Sequence, residues 1–434
     1  MELAFDGTNV APDSAEQNAV ASRSVGKQTR PLNAGKSGIW LFMTIVLGLG
    51  IFLRLYSSVG FRGIGYDEHG YMVFIQQIEK VGALNYDAVV QLFVENQYER
   101  PDAVVPATRI GFLLPAYFCG QLLHCSPFEA LRTLSSVASI LLLGLSVFFA
   151  YRAGGTVHML GMTALVATAP LQIYLSQRAL IDGYFAFWAV AALWLAWENL
   201  QRPRHACWLT AYAVSLFVLV LTKENAAFVV FAIFGVLLLN RFLRLGTVTP
   251  QLLMATVFGP AVAVLFLAWM VGGVSDWIQF YQMFVAKSRT NPYSILAQDG
   301  PWYRYLIDFL MMSPLLVVLA CGRIFRLRKA DRPELFMTVF LLLSFACMAS
   351  VTYGMSLRYA AYWDIPLCWL ASSQILILSR QFPKVRPAIL TTGLFLVMGA
   401  GGLNQYHRFF VQGAIYDPTT AAMVWAADLE KRSF

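Results

Sequence analysis

Residues 61 to 71 read FRGIGYDEHGY, and the adjacent acids Asp67 and Glu68 follow closely on a long apolar run. A carboxylate in such a place can bind a cation, hold a metal or take a proton from a hydroxyl. Three glycines, Gly63, Gly65 and Gly70, predict a shaped backbone around the pair rather than a loose tether. Further charges interrupt apolar stretches downstream. Asp182 lies in SQRALIDGYFAFW, where its i, i+4 spacing from Arg178 suits a helix-end ion pair. Lys223 and Glu224 break LVLTKENAAF, and a charge so near the end of an apolar run needs a partner or a path to water. Arg109 opens RIGFLLPAYFCGQLLHC, and Arg358 stands in SLRYAAYWDIP. Guanidinium groups suit bidentate recognition of phosphate. Two acids, a third acid and several cations at the ends of apolar runs fit a lipid-phosphate substrate that reacts at a bilayer surface. There the cations hold phosphate and a carboxylate takes a proton.

The elements that must position these residues are membrane helices. Of 434 residues, 58% are hydrophobic and 13% charged, with a mean hydropathy of +0.60. Soluble domains carry roughly 25% charged residues, so the composition predicts an all-α, polytopic membrane protein. Spans are expected at about 38–56, 132–151, 157–175, 183–199, 207–222, 226–240, 251–272, 306–321, 335–353, 361–378 and 387–403, about 11 transmembrane helices in all. Residues 1–37 read as a disordered tail, 57–131 as a large first outer loop carrying juxtamembrane helices, 273–305 as a later outer loop, and 404–434 as a short outer tail. The segment 109–125 is expected to be juxtamembrane or re-entrant. If it spanned, every later Arg cluster would change side.

The loops expected on one side carry just over half of the 32 Lys and Arg residues, including GRIFRLRKADR and SRQFPKVR. The positive-inside rule makes that side cytoplasmic, together with the N-terminus, and leaves the acids and the candidate site on the outer side of the cell membrane. The net charge of +8 therefore reflects topology rather than nucleic acid. Six cysteines form no CxxC pair and have no histidine at metal-ligand spacing. The chain has no Walker loop after a strand, no HExxH and no GxSxG.

In order along the chain, these residues resemble the GT-C membrane glycosyltransferases of the protein O-mannosyltransferase type (glycosyltransferase family 39-like), which include the bacterial lipid A aminoarabinose transferase. The matching features are Asp67, Glu68 and Tyr71 in the first loop, Arg109 before an apolar stretch, Arg132 in FEALRTLSS, Asp182 in ALIDGYFAFW, Thr222 with Lys223, and Arg358 with Tyr359 and Pro366. The resemblance is strongest over residues 45–240. Two departures stand out: Gly183 replaces the family's Pro, and Arg109 stands where the lipid A enzyme has Lys.

The resemblance implies a GT-C fold and an inverting transfer of a sugar from a polyprenyl-phosphate donor to a lipid, glycan or protein acceptor at the outer face. It implies that Asp67 is the catalytic general base or an acceptor-orienting carboxylate, and that Glu68 supports it or contacts the acceptor. Arg109, Lys223 and Arg358 would neutralise the leaving phosphate. Asp182, with Tyr71 and Tyr359, would orient a cation or the acceptor. A divalent metal at Asp67 and Glu68 is left open. The rival reading is a transporter of polyprenyl-linked lipid or solute that uses the same charges as a path. It expects them at mid-span depth together with repeat symmetry.

Overall fold

A computed structural model describes residues 36–56, 65–99, 105–291, 295, 298–382 and 385–413. The expected N-terminal tail, apart from its last two residues, and most of the expected C-terminal tail lie outside them. Two compact units are distinguished, Met1–Phe42 and Met43–Phe434. The first contributes the opening of helix α1 (Lys36–Leu55), and the second holds every other element.

The described residues form helices and no strand. After α1 come α2 (Tyr66–Val81), α3 (Tyr86–Glu99) and α4 (Ile110–Leu123), which stand between the first apolar helix and the long α5 (Pro127–Ala167). There follow α6 (Pro170–Ser176), α7 (Ile181–Gln201), α8 (Ala206–Thr222), α9 (Ala226–Leu243), α10 (Pro250–Met270) and α11 (Val274–Thr290). The chain closes with α12 (Arg304–Met312), α13 (Pro314–Ile324), α14 (Arg332–Ala349), α15 (Asp364–Gln381) and α16 (Pro387–Tyr406). A 3₁₀ segment, Leu357–Trp363, leads into α15.

Local sequence explains the helix ends. Ser126 and Glu129 cap each other at the start of α5, with Pro127 just inside. Proline also opens α6, α10, α13 and α16, where its missing N–H costs nothing. The Asn240 side chain accepts from the Leu245 and Gly246 amides and closes α9, with Arg244 in the left-handed conformation.

Large apolar side chains stay exposed along α1 (Ile45, Phe52), α10 (Phe258, Leu265, Trp269) and α16 (Ile389, Leu396, Val397). In water such continuous apolar surface would aggregate, and in a bilayer it meets lipid. At the other extreme, α7 is buried nearly all round from Ala189 to Leu200, as befits a central helix. It packs against α5 and α8. Helix α8 in turn meets α10, α9 packs on α14, and α13 packs on α15.

Among the described residues, six helices are long and apolar enough to cross a membrane, or up to seven if the pair α12–α13 counts as one span. This is fewer than the expected 11, for physical reasons. Helix α5 is two helical stretches joined end to end over 41 residues and covers two of the expected spans. It breaks at Gly155, whose φ of 74° only glycine adopts readily. Helix α8, with 17 residues, falls just short in length, and α7 and α15 carry charged or polar residues in their apolar runs. The expected span at 306–321 falls on a broken pair: α12 and α13 meet at Ser313–Pro314 with a bend of 118°. Helix α4, in the expected re-entrant segment, has 14 residues, and at 1.5 Å per residue it reaches only about 21 Å, short of the hydrocarbon core.

Candidate active site

Five chain segments converge on one cavity of about 900 Å³. Asp67 and Glu68 occupy the first turn of α2, where the helix dipole favours negative charge. Arg109 is the residue that leads into α4. Asp182 lies in the first turn of α7, just after the linker that holds Arg178. Lys223 and Glu224 form the tight link from α8 to α9, and Arg358 and Tyr359 belong to the 3₁₀ segment before α15. The charges thus sit at helix ends rather than at mid-helix.

Close packing brings Arg109 to Lys223 and Glu224. Gly111, the second residue of α4, lies so near the end of α8 that a Cβ there would fall 2.7 Å from the Leu221 carbonyl carbon and 2.8 Å from the Thr222 nitrogen. A bare backbone at this position lets α4 touch α8. Arg109 then donates to Glu224, with Nη2 3.2 Å from Oε2, and to the Tyr71 hydroxyl. Tyr71 is fully buried and meets Phe112 edge-on at 5.5 Å between ring centroids. Burial pushes its phenol well above its ordinary value, so it remains neutral beside the guanidinium.

Asp182 is buried behind the cavity wall and does not itself line the cavity. Its Oδ1 takes the Lys223 ammonium at 2.5 Å, and its Oδ2 lies 3.6 Å from Arg358 Nε. Lys223 also sits 3.6 Å from the centroid of the Tyr359 ring, so an acid and an aromatic face hold it together. Burial pushes the Lys223 ammonium down to about 8; Asp182 opposes this shift, and Arg109 and Arg358 add to it. Arg358 reaches the other way to Asp67. Asp67, Arg109, Lys223, Arg358 and Tyr359 all line the cavity.

Glu68 departs from expectation. It points away from the cavity and is buried, with Oε1 accepting from Arg178 Nε and the Ala179 amide, both at 2.8 Å, and Oε2 accepting from Arg178 and, at 2.6 Å, from the Gly65 amide. All its capacity is spent on tying α2 to the linker before α7. Glu68 thus bears on Asp67 only through the turn that carries both, and the expected contact of Glu68 with the acceptor is corrected, since it does not line the cavity. The i, i+4 pair of Arg178 with Asp182 is likewise not formed: each takes a partner far away in sequence. Tyr71 reaches the site through Arg109 rather than by lining it. His69 is exposed and lies apart from the cavity lining.

The acid pair does not fit a divalent metal. Glu68 has no oxygen free of a donor, Asp67 faces a guanidinium, and no group of three His, Cys, Asp or Glu side chains gathers among the described residues. Around the rest of the cavity stand Tyr281 and Ser288 of α11, Tyr305 of α12, and Tyr353 in the loop after α14. Nothing in their spacing marked them. They come from loop-borne helices that only tertiary packing brings to the charged wall.

Residues 120–289 match the family described as dolichyl-phosphate-mannose-protein mannosyltransferase. No curated protein sequence matches the chain significantly. Among solved structures, the fold is similar to that of ArnT from Cupriavidus metallidurans in the apo state, with a TM-score of 0.53 and 13% identity over 87% of this chain and 76% of that one. It is also similar to the apo oligosaccharyltransferase of Archaeoglobus fulgidus, with a TM-score of 0.57 and 11% identity over 87% of this chain and 56% of that one. With the all-helical architecture and the exposed apolar belts, these likenesses give the chain the GT-C membrane fold, and residues 120–289 are similar to the mannosyltransferase family.

Proposed function

We propose that this protein is a membrane glycosyltransferase that moves a sugar from a polyprenyl-phosphate donor to a hydroxyl of a lipid, glycan or protein acceptor, with inversion at the anomeric carbon. One observation carries the reading: a carboxylate, Asp67, and three cations, Arg109, Lys223 and Arg358, line a single cavity among helices that belong in a membrane. The matched family's description names a polyprenyl-phosphate sugar, and that lends support to the donor class. The side of the membrane rests on loop charge. The basic loops are cytoplasmic, so the cavity opens at the outer face of the cell membrane.

The chemistry follows from these groups. The acceptor oxygen attacks the anomeric carbon as the bond from that carbon to the phosphate oxygen breaks. Asp67 takes the acceptor's proton. Negative charge grows on the leaving phosphate, where the guanidinium groups of Arg109 and Arg358 and the Lys223 ammonium meet it. Asp182 is a positioning residue that holds Lys223 and Arg358 in place. Tyr359 shapes the pocket under Lys223, and Tyr71 sets the angle of Arg109. Glu68 anchors the turn that carries Asp67.

The test is transfer itself. Purified protein in proteoliposomes is given radiolabelled polyprenyl-phosphate sugars and membrane extract, beside an Asp67→Asn variant. Donor consumption with release of polyprenyl phosphate is expected from the native protein, and a loss of about 10²-fold or more from the variant. Normal turnover by the variant, or no donor consumed by the native protein, would overturn the reading.

A further inference from the structure

Four cations and four carboxylates meet at this site, each cation with an acid of its own: Arg109 with Glu224, Arg178 with Glu68, Lys223 with Asp182 and Arg358 with Asp67. An incoming phosphate must therefore take a cation from an acid, and the pairs differ in how firmly they are closed. The Lys223 and Asp182 side chains are 1% and 2% exposed, and Glu68 is sealed by four N–H donors. The Arg358 and Asp67 side chains are each 22% exposed, so solvent and ligand reach both. Arg358 also has a second acid nearby, Asp182 at 3.6 Å. Among the described residues, no cation other than Arg358 pairs with Asp67.

We propose that the Asp67–Arg358 pair is a latch that the donor phosphate opens: phosphate takes Arg358 from Asp67, and the freed carboxylate becomes the base. This rests on the polyprenyl-phosphate reading above. Arg358 does not leave the site when the latch opens, because Asp182 still holds it. Before the donor arrives, the Asp67 carboxylate is occupied by a guanidinium and is poorly placed to activate water or a stray hydroxyl. Base and donor are thus assembled in one event.

The charges balance through the cycle. The acceptor oxygen bonds to the anomeric carbon, the electron pair of the broken carbon–oxygen bond stays on phosphate, and the acceptor's proton goes to Asp67. Phosphate gains a negative charge as Asp67 loses its own, so Arg358 holds the product without competition. Once Asp67 passes its proton to water, it competes again for Arg358 and helps to expel polyprenyl phosphate.

This predicts an inverse relation between catalysis and affinity, measured as binding of fluorescent undecaprenyl phosphate to full-length protein in detergent. Asp67→Asn removes the competing charge, so it should bind the probe about tenfold more tightly than the native protein, within the range of couplings between linked sites, while losing transfer. Arg358→Gln should weaken binding, and adding Asp67→Asn to it should restore nothing. Equal or weaker binding by Asp67→Asn overturns the latch while leaving the donor class standing. So does a gain that persists without Arg358. If neither the native protein nor Asp67→Asn binds the probe, the donor class and the latch fall together.

Discussion

Arg178 meets Glu68 through Nε and Nη2 at once, although 110 residues separate the two along the chain. The contact fastens the start of α2 to the linker before α7, and so fixes the turn on which Asp67 is carried. Removing one member of a buried pair strands the other, at a cost of about 3–5 kcal/mol. Glu68→Ala should therefore lower the thermal unfolding midpoint sharply, with Glu68→Gln recovering part of the loss. Asp67→Asn should leave that midpoint near the native one while abolishing transfer. Matching melting curves for Glu68→Ala and the native protein would count against this division of labour.

Lys223 gives the site a pH dependence. In the link between α8 and α9 its ammonium titrates at about 8 rather than 10.5. Below pH 8 it is charged and can hold phosphate, and above it that charge is lost. The KM for donor should rise as pH passes 8, and a Lys223→Arg variant should stay flat. Between 8 and 10.5 the unfolded chain binds more protons at this residue than the folded one, so its contribution to stability rises with pH. Donor affinity and fold stability should then move in opposite directions over that window, as initial rates and thermal melts at matched pH would show.

Gly111 tests how closely α4 must approach α8. A methyl group there meets backbone at 2.7 Å and cannot be accommodated by rotating a side chain. Gly111→Ala should cost about 1–3 kcal/mol, as overpacking does, and should displace Arg109 from Glu224. Transfer should fall further than stability accounts for, with the loss appearing in donor KM.

Arg54 lies in the first apolar helix, yet is fully buried. It donates to the Val166 carbonyl at 2.8 Å, the Ala167 carbonyl at 3.2 Å, the Gly50 carbonyl at 2.9 Å and the Ser139 hydroxyl at 3.0 Å. It thereby ties α1 to the C-terminal end of α5, where the Val166 carbonyl also accepts from the Thr168 amide. Arg54→Leu should destabilise the protein by about 1–3 kcal/mol, because the buried Ala167 carbonyl and Ser139 hydroxyl lose the donor that joins α1 to α5. A melting midpoint unchanged by this substitution would show that other donors replace it.

Much of the scaffold was legible in the sequence because apolar runs and their Pro and Gly punctuation set helix limits locally. The expected runs at 183–199, 207–222, 226–240 and 387–403 fall within α7, α8, α9 and α16. The bend at Ser313 was marked by Pro314, but an apolar run on both sides hid it. At the site, spacing exposed every residue that lines the charged wall, since a charge in an apolar run stands out. Partner choice was not legible. Arg178 and Asp182 share a helical spacing, but α7 begins between them and turns them apart, and Glu68 lies beside Asp67 in sequence while facing the opposite way. Arg54 was passed over because its partners are backbone carbonyls, which leave no mark in a sequence.

The matching of each cation at the cavity by an acid bears on how substrate is captured. Unpaired positive charge would project a field into solvent and draw anions from a distance, and association would then slow as salt rose. Here the opposing charges lie within hydrogen-bond reach of one another, so their fields cancel well inside one Debye length, about 8 Å at physiological ionic strength. A polyprenyl-linked donor, as proposed above, would arrive by lateral diffusion in the bilayer and sense the cations only on contact. Encounter rates should therefore follow membrane viscosity and lipid composition far more than the ionic strength of the surrounding water.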